Sequence, residues 1–488
     1  MVANDTYLHG IDIVEIDDGI RPIQTATSSI IGLIGTAPDA DEDVFPLNEP
    51  VLIIGDRTKA ALLGATGTLP AAMRDILSVF GAPVVLVRVD AGQTTPQTWS
   101  NLIGDPTTKT GVYAFLTAWH KVKAKPRMII APGWTGLRPS NGIKQINVGT
   151  AGQYDKVPTI SFTNAQGDTG AGAAAVAHVV AGALSSITVT NPGSGYTSPP
   201  TVVITRAAGD GKSSSGAATA VLGKAKNPVA AAIEGILPNL RAIALIEGPN
   251  ISNTEAIDFR QDFGTSRTMI IDPNVLVWDI TVSDYVSRSG VALAAAMQSY
   301  MDNTYGFWWS FSNQAVPNIG GIDRPVTWDL EDPTTDANFL NQNQVATIVR
   351  VDSQSQGGFR FWGLRTTSAD PLWAFLSVRR TADMIYDSIV QGFLWMLDRP
   401  FSAQLIIDGV ETVNYYLRSL KARGATIDGS AWIDPNLNSI DQLVAGKLRI
   451  EFDFEPPAPI ERITFGARRN PNYYDVMISD VLRDLPTL

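Results

Sequence analysis

Between residues 28 and 310, short apolar runs alternate with stretches of helical periodicity. The apolar runs, rich in Val, Ile and Leu, predict strands at residues 30–35, 51–54, 84–89, 127–131, 242–246 and 268–272. Helical patterns are found at residues 70–80, 112–122, 229–240, 253–263 and 288–301. Continuous apolar strands separated by helices are typical of a parallel sheet that is covered by helices on both faces. The pattern therefore predicts an α/β domain.

Residues 140–226 interrupt this alternation with a composition rich in Gly, Ala, Ser and Thr. Residues 158–176 resemble residues 200–221, since each segment has a strand pattern, a Gly-Asp pair and an alanine-rich run. A flexible low-complexity loop is the alternative interpretation, but alternating Val, Ile and Thr favour strands. We therefore expect a small all-β domain that is inserted at a surface loop.

The N-terminal residues predict a single strand rather than a domain. Alternating apolar and polar side chains around residues 7–16 are followed by Asp17-Asp18-Gly19, which ends the strand. A lone strand must pair with the edge of a sheet, in its own chain or in a neighbouring one. We interpret residues 1–25 as an arm.

A second block with mixed helix and strand patterns begins near residue 320. Its segment 350–399 contains three tryptophans and six arginines, a combination that suits buried directional contacts and protein interfaces. Residues 379–398 predict a helix with one apolar stripe, formed by Ala382, Ile385, Ile389, Phe393 and Met396. Further patterns predict a helix at 410–423, strands near 447–454 and at 462–466, and a helix at 474–483.

Composition narrows the classes of function. The formal net charge of −11 argues against wrapping of nucleic acid, and the lack of cysteine excludes disulfides and thiolate chemistry. The first residues lack the basic and apolar regions of a secretory signal, and no run of eighteen apolar residues predicts membrane insertion. A protein that folds in the cytoplasm is expected.

The residues expected of an enzyme are missing from the pattern. Of the histidines, His9 lies in the arm and His178 in the insertion, so a Ser-His-Asp arrangement would have to use His120 at the end of a predicted helix. No G-x-S-x-G sequence surrounds a candidate serine, and the phosphate-loop pattern that ends at Ser213 has Arg206 where glycine is required. The acidic residues at 39–43 lack calcium-loop spacing. We predict no catalytic, cofactor-binding or metal-binding residue.

Several segments, taken in order, resemble the sheath proteins of contractile phage tails, as found in Mu-like and P2-like phages and in tailocins. Among them are SSIIGLIGTAP at 28–38, GFRFWGLRT at 358–366, RRTADMI at 379–385 and PPAPIERIT at 456–464. The resemblance is specific because these segments are collinear over nearly the whole chain, except for residues 140–226.

The resemblance implies a subtilisin-like α/β domain without catalytic residues, joined to a C-terminal α/β sheath domain. It implies a structural protein of the virion, assembled in the host cytoplasm, that stacks as six-fold rings around a tail tube and contacts baseplate and tail terminator proteins. Contraction would drive the tube through the host envelope and deliver the genome. The expected domains are residues 1–25 (N-terminal arm), 26–139 with 227–319 (subtilisin-like domain), 140–226 (insertion), 320–465 (C-terminal domain) and 466–488 (C-terminal arm).

The resemblance also implies contacts between subunits. The arms are expected to exchange strands with neighbouring subunits through Leu8, Ile11, Ile13, Val14, Ile16, Ile463 and Phe465. Arg379, Arg380 and Arg399 are candidate contacts with the tube or another subunit, and salt bridges within the domain are the alternative. The tryptophans of segment 350–399 are expected to be core residues.

Three other interpretations are open from sequence. The first is the sheath of a headless tailocin or a related injection device. The second is a subtilisin-like hydrolase that depends on His120. The third is an adhesin whose insertion at 140–226 binds glycans.

Overall fold

The computed structural model describes residues 23–139, 141–279, 282–352 and 357–485. The strands in these ranges are β1 (Ile31–Thr36), β2 (Pro50–Ile54), β3 (Pro83–Val89), β4 (Met128–Ile130), β5 (Gly142–Thr150), β6 (Thr159–Thr163), β7 (Ala171–Val180), β8 (Ala183–Ser194), β9 (Thr201–Thr205), β10 (Ala217–Gly223), β11 (Ile243–Glu247), β12 (Thr268–Ile271), β13 (Val275–Asp279), β14 (Asp284–Arg288), β15 (Ile319–Ile322), β16 (Val345–Val351), β17 (Gly358–Trp362), β18 (Asp428–Trp432) and β19 (Glu451–Glu455). The α-helices are α1 (Arg57–Ala61), α2 (Leu69–Val79), α3 (Thr95–Ile103), α4 (Ala118–Val122), α5 (Pro228–Leu240), α6 (Asn253–Arg260), α7 (Val291–Thr304), α8 (Asp336–Gln342), α9 (Leu376–Gly392), α10 (Ala403–Ala422), α11 (Ile440–Val444) and α12 (Tyr473–Asp484).

An eight-stranded sheet forms the centre of the fold, with the strand order β17-β16-β12-β11-β4-β1-β3-β2. The six inner strands pair in parallel. Strands β2 and β17 close the two edges by antiparallel pairing. All six strands predicted from the apolar runs form in this sheet, each within one residue of its predicted bounds. The fold is thus mixed α/β, built on a mixed sheet in which parallel pairing dominates.

Alternating side chains of the inner strands enter two separate cores. Ile31 and Leu33 pack with helices α2 and α7 on one face, whereas Ile34 packs with α3 and α5 on the other. The predicted covering of both faces is therefore confirmed. Helix α3 was not predicted, because its sequence TPQTWSNLI has few apolar residues. A capping box at Thr94 and Gln97 marks its start instead.

The central sheet continues past residue 320, where the sequence predicted the start of the C-terminal domain. Strand β16 pairs in parallel with β12, and β17 pairs with β16. The Val-rich run at 345–351 thus belongs to the central sheet, although it lies beyond residue 320. A separate three-stranded sheet, in the order β14-β13-β15, packs over α2 through Val277 and Ile319.

The insertion forms a six-stranded antiparallel sheet with the order β5-β10-β9-β6-β7-β8. Its outermost strands β5 and β8 approach each other, with Gly142 close to the carbonyl of Gly193, so that the sheet resembles a nearly closed barrel. When this strand order is read from the other end, β8 takes the place of β5, β9 that of β6 and β10 that of β7. Such symmetry is expected if β5–β7 and β8–β10 are two copies of one repeat. Tyr154 and Tyr196 occupy equivalent places after β5 and β8, and both are buried. The repeat found in the sequence thus covers three strands in each half.

The region after the central sheet has a core of its own. Helices α9 and α10 pack together with the two-stranded antiparallel sheet of β18 and β19, through Ile385, Tyr416 and Leu420. Helix α9 ends at Gly392, earlier than predicted, and a 3-10 turn follows at Leu394–Met396. Of the predicted stripe, Ala382 and Ile385 are fully buried.

One compact unit ends at Ala458 and a second begins at Pro459. The second unit contains α12, which confirms the helix predicted at 474–483. The strand predicted at 462–466 is wrong for the isolated chain, because this segment has no strand partner within the described residues. No described helix is both long enough and apolar enough to cross a membrane.

Candidate functional site

Helix α9 lies against the amino-terminal edge of the central sheet. Arg127, Arg241 and Arg267 stand just before β4, β11 and β12, which are neighbours in that sheet. Parallel strands begin at the same edge, so the three guanidinium groups share one side of the domain. Asp383 and Asp387, one helical turn apart on α9, face them.

Asp387 is the centre of this ionic junction. It forms ion pairs with Arg127 and Arg241, and Lys125 Nζ lies 3.2 Å from its Oδ2. The side chains of Arg127 and Asp387 are only 3% and 6% exposed. Burial by itself would raise the pKa of Asp387, but the charges and hydrogen bonds of these cations outweigh it and hold the pKa below its ordinary value. The carboxylate therefore stays ionised inside the protein.

Arg379 and Arg380, two of the candidate contacts with the tube or another subunit, are 9% and 3% exposed in the single chain. Arg379 donates to Asp383 at 2.8 Å, and Arg380 Nη1 donates to Asp302 at 2.7 Å. The periodicity of α9 identified its apolar stripe, but it could not show that the charged flanks are also covered. In this structure both arginines form salt bridges within the chain, as in the alternative interpretation of the sequence.

Arg399 differs from these two arginines because it is exposed. Its guanidinium lies 5.3 Å from the centre of the Trp395 ring. The tryptophans Trp362, Trp373 and Trp395 are half-buried rather than fully buried in the core. Arg399 thus stays a candidate contact with another protein.

The carboxyl-terminal edge of the central sheet, where ligands bind in many α/β proteins, is filled by structural hydrogen bonds. Glu247, at the end of β11, accepts from the backbone N–H groups of Gly133, Thr135 and Gly136. Asp272 follows β12 and pairs with Arg324. His120 is exposed at the end of α4, and His178 contacts Thr188 within the insertion. Among the described residues, no group of three or more His, Asp or Glu is placed to hold a metal ion.

The residues predicted for strand exchange fall into two groups. Leu8, Ile11, Ile13, Val14 and Ile16 lie outside the described residues. Ile463 and Phe465 are 67% and 88% exposed in an extended segment. Covering exposed apolar side chains of this kind with a partner would be favourable.

Sequence reasoning missed the ionic junction as a whole. A signal was present, because a basic residue immediately precedes three of the apolar strand runs, as in RMII, RAIALI and RTMII. The complementary signal was the pair of aspartates Asp383 and Asp387, four residues apart on one predicted helix. The pairing itself depends on tertiary contacts more than 100 residues apart in sequence.

A second charged group, also missed, lies between α2 and the sheet of β13–β15. Asp75 Oδ1 accepts from Arg288 Nη1 at 2.8 Å, Arg288 also pairs with Asp279, and Arg74 lies 3.6 Å from Asp279. Burial raises the pKa of Asp75 to about 6, against the opposing charges of Arg288 and Arg74.

Asp75 should therefore make stability depend on pH. The folded pKa exceeds the unfolded value of 3.8, so the folded state binds the proton more tightly and stability falls as pH rises from 3.8 to about 6. Between pH 4 and pH 7, the free energy of unfolding of the natural protein relative to Asp75→Asn should fall by roughly 2 kcal/mol. Urea unfolding at both pH values measures this difference. Asp90→Asn, at an exposed site, serves as control, and equal pH profiles for Asp75→Asn and the natural protein would refute the prediction.

The fold matches solved contractile assemblies along nearly its whole length. A chain in the contracted helical sheath of the anti-feeding prophage aligns with a TM-score of 0.57 at 14% identity, covering 95% of this chain and 100% of that chain. A chain in the six-fold symmetrised baseplate of the same system aligns with a TM-score of 0.55 at 13% identity, covering 95% and 99%. The chain therefore has the fold of a subunit of a contractile assembly.

Sequence comparison identifies the family. The family model of the phage tail sheath C-terminal domain matches residues 368–468, and that of the tail sheath protein Gp18 domain III N-terminal region matches residues 28–89. The tail sheath protein of Escherichia phage P2 is 30% identical over 484 residues, covering 97% of this chain and 98% of that protein. A putative prophage major tail sheath protein of Pseudomonas aeruginosa (strain UCBPP-PA14) is 29% identical over 459 residues, covering 93% and 94%.

The chain belongs to the phage tail sheath protein family. It is a structural protein of the contractile tail, a component of the virion and not an enzyme. The resemblance seen in the sequence is thereby confirmed.

Proposed function

We propose that this protein polymerises as stacked six-fold rings around a tail tube, and that contraction of the polymer drives the tube through the host envelope. The sheet of β18 and β19 carries this proposal. A two-stranded sheet is marginal on its own, and within the described part of the chain neither of its edges is paired with a third strand. Open edges of this kind accept strands from other chains.

The terminal arms are the proposed source of those strands. The segment that includes Ile463 and Phe465 is extended and exposed, and these two residues are spaced to share one face of a strand. One edge of the sheet would accept the C-terminal segment of one neighbour, and the other edge the N-terminal strand of a second neighbour. Head-to-tail exchange of this type does not close on two subunits, so it extends into a lattice.

Exposed apolar side chains around the same sheet support an interface there. Ile440 and Val444 on α11 are 81% and 83% exposed, and Leu394 and Leu397 after α9 are 74% and 66% exposed. Contiguous exposed apolar surface is typical of protein contacts. Arg399 in the same region is the proposed tube contact, while baseplate and tail terminator proteins would bind the ends of the polymer.

The mechanism we infer needs no nucleotide. The free energy would come from better packing between subunits in the contracted state, released ring by ring after a signal from the baseplate. Exchanged strands would keep subunits linked while their rigid parts rotate. The buried junction between α9 and the central sheet would make those parts move together.

The domain organisation belongs to the same proposal. The helix-covered parallel sheet supports a subtilisin-like sheath domain that lacks catalytic residues, and the insertion at 140–226 would be a separate surface domain. Gly142 pairs with Gly223, so the chain enters and leaves the insertion at neighbouring points.

Replacing residues 142–223 with a short Gly-Ser linker should therefore leave the protein folded and able to polymerise. The measurement is electron microscopy, with thermal unfolding of the variant as the test of folding. A folded variant that stays monomeric would show that the insertion takes part in assembly.

Negative-stain electron microscopy of the concentrated full chain tests the proposed function. We expect tubes or short rings. A protein that stays monomeric at high concentration would contradict the proposal.

A further inference from the structure

A groove of about 850 Å³ lies between helices α1 and α2 and the sheet of β13–β15. Trp278 and Tyr285 form one wall as an edge-to-face pair whose ring centres are 5.3 Å apart. Each of these two aromatic side chains is about half exposed. Met73 and Leu77, which also line the groove, are buried. Exposed aromatic residues beside an apolar pocket are typical of protein docking sites.

The exposed charges at this groove are positive. Its carboxylates, Asp75 and Asp279, are occupied by Arg288 and are only 6% and 13% exposed. Arg57 and Arg74 stand at the rim, and the Arg74 side chain is 49% exposed. A helix or strand with acidic flanks would complement this rim.

Helix α12 has the complementary surface. One face carries an apolar stripe at helical spacing, and its members are 46% to 59% exposed: Tyr474, Met477, Ile478 and Val481. Asp480 and Asp484 lie along the flank next to Met477, and in the single chain both form exposed ion pairs with Arg483, which the groove's arginines would have to replace. A twelve-residue helix with a bare apolar stripe gains most of its stability from packing against a partner.

We propose that α12 of one subunit packs into this groove of a second copy of the chain. The apolar stripe would cover Trp278 and Tyr285, and Asp480 and Asp484 would face Arg57 and Arg74. The inference rests on the proposed polymerisation, which supplies many copies side by side, and it adds a contact that differs from strand exchange at β18 and β19. The family model of the C-terminal domain ends at residue 468, before α12 begins.

Cysteine cross-linking of assembled protein tests this contact, because the natural chain contains no cysteine. Ala61 lines the groove and is exposed, and Met477 lies on the stripe, so Ala61→Cys and Met477→Cys are made as separate full-length variants. After mixing, assembly and oxidation, we expect a dimer on a denaturing gel that neither variant gives alone. Ser479→Cys, on the opposite face of α12, is the matched control and should give severalfold less dimer.

Reversing the charges on both sides of the proposed contact gives a second test that does not depend on the choice of one cysteine pair. Arg57→Glu with Arg74→Glu should reduce the cross-linked dimer severalfold, and adding Asp480→Arg with Asp484→Arg on the partner should restore it. Tubes that form without the cross-link would overturn the docking and leave the sheath function intact. Failure of the unsubstituted protein to polymerise would contradict both. A cross-link formed only within one chain, in the Ala61→Cys, Met477→Cys double variant, would overturn the role of a second copy.

Discussion

Replacing Asp387 with Asn is expected to lower the free energy of unfolding by about 3–5 kcal/mol, because the change leaves buried cations without their carboxylate. Arg127, whose side chain is 3% exposed, would lose its ion-pair partner, and Arg241 and Lys125 would lose theirs. Urea unfolding at pH 7 measures the effect.

Asp352→Asn is the matched control for this experiment. Asp352 also pairs with an arginine, but Arg350 and Asp352 are 68% and 80% exposed, so the loss should be under about 1 kcal/mol. The cost of Asp387→Asn should shrink as pH falls below 3.8, because the carboxyl group then becomes protonated in the unfolded chain while the folded protein still holds it ionised; it should be lost once pH has fallen through the lowered pKa of the folded state. A loss at pH 7 no larger than that of the control would show that α9 does not depend on this junction.

Substituting Ile463→Asp together with Phe465→Asp is expected to abolish polymerisation without changing the thermal stability of the monomer. Both side chains are exposed in the single chain, so the substitutions remove nothing from its core. In the polymer they would place two charges in a buried strand interface, at a cost of several kcal/mol for each contact. Sedimentation of tubes measures the first result, and thermal unfolding measures the second.

The control is the conservative pair Ile463→Val with Phe465→Tyr, which should still polymerise. Normal tubes from the double aspartate variant would remove the C-terminal segment from the proposed strand exchange. The N-terminal half of the exchange is tested in the same way by removing residues 1–20.

Six strands of the central sheet could be predicted because they are apolar runs rich in Val, Ile and Leu, whereas β16 and β17 were not predicted. Helix α3 was missed since its signal lies in a cap at Thr94 and not in apolar periodicity. Residues 462–466 have the apolar alternation of a strand but no strand partner among the described residues, so this pattern is the one that strand pairing with another subunit would require.

The charged residues could not be placed from sequence. Arg380 and Arg399 look alike in the chain, yet one is buried against Asp302 and the other is exposed. Their difference depends on α7, which supplies Asp302 from 78 residues away. Periodicity identifies the apolar face of a helix, whereas the position of each charged flank is decided by the neighbouring elements.

Cryo-electron microscopy of tubes assembled from the natural protein tests the central claim most directly. The measured quantities are the rotational symmetry of the tube and the density beside β18 and β19. We predict six subunits in each ring, with a strand from a neighbouring subunit along each edge of that sheet. Tubes with another rotational symmetry, or with both edges of the sheet uncovered, would contradict this account.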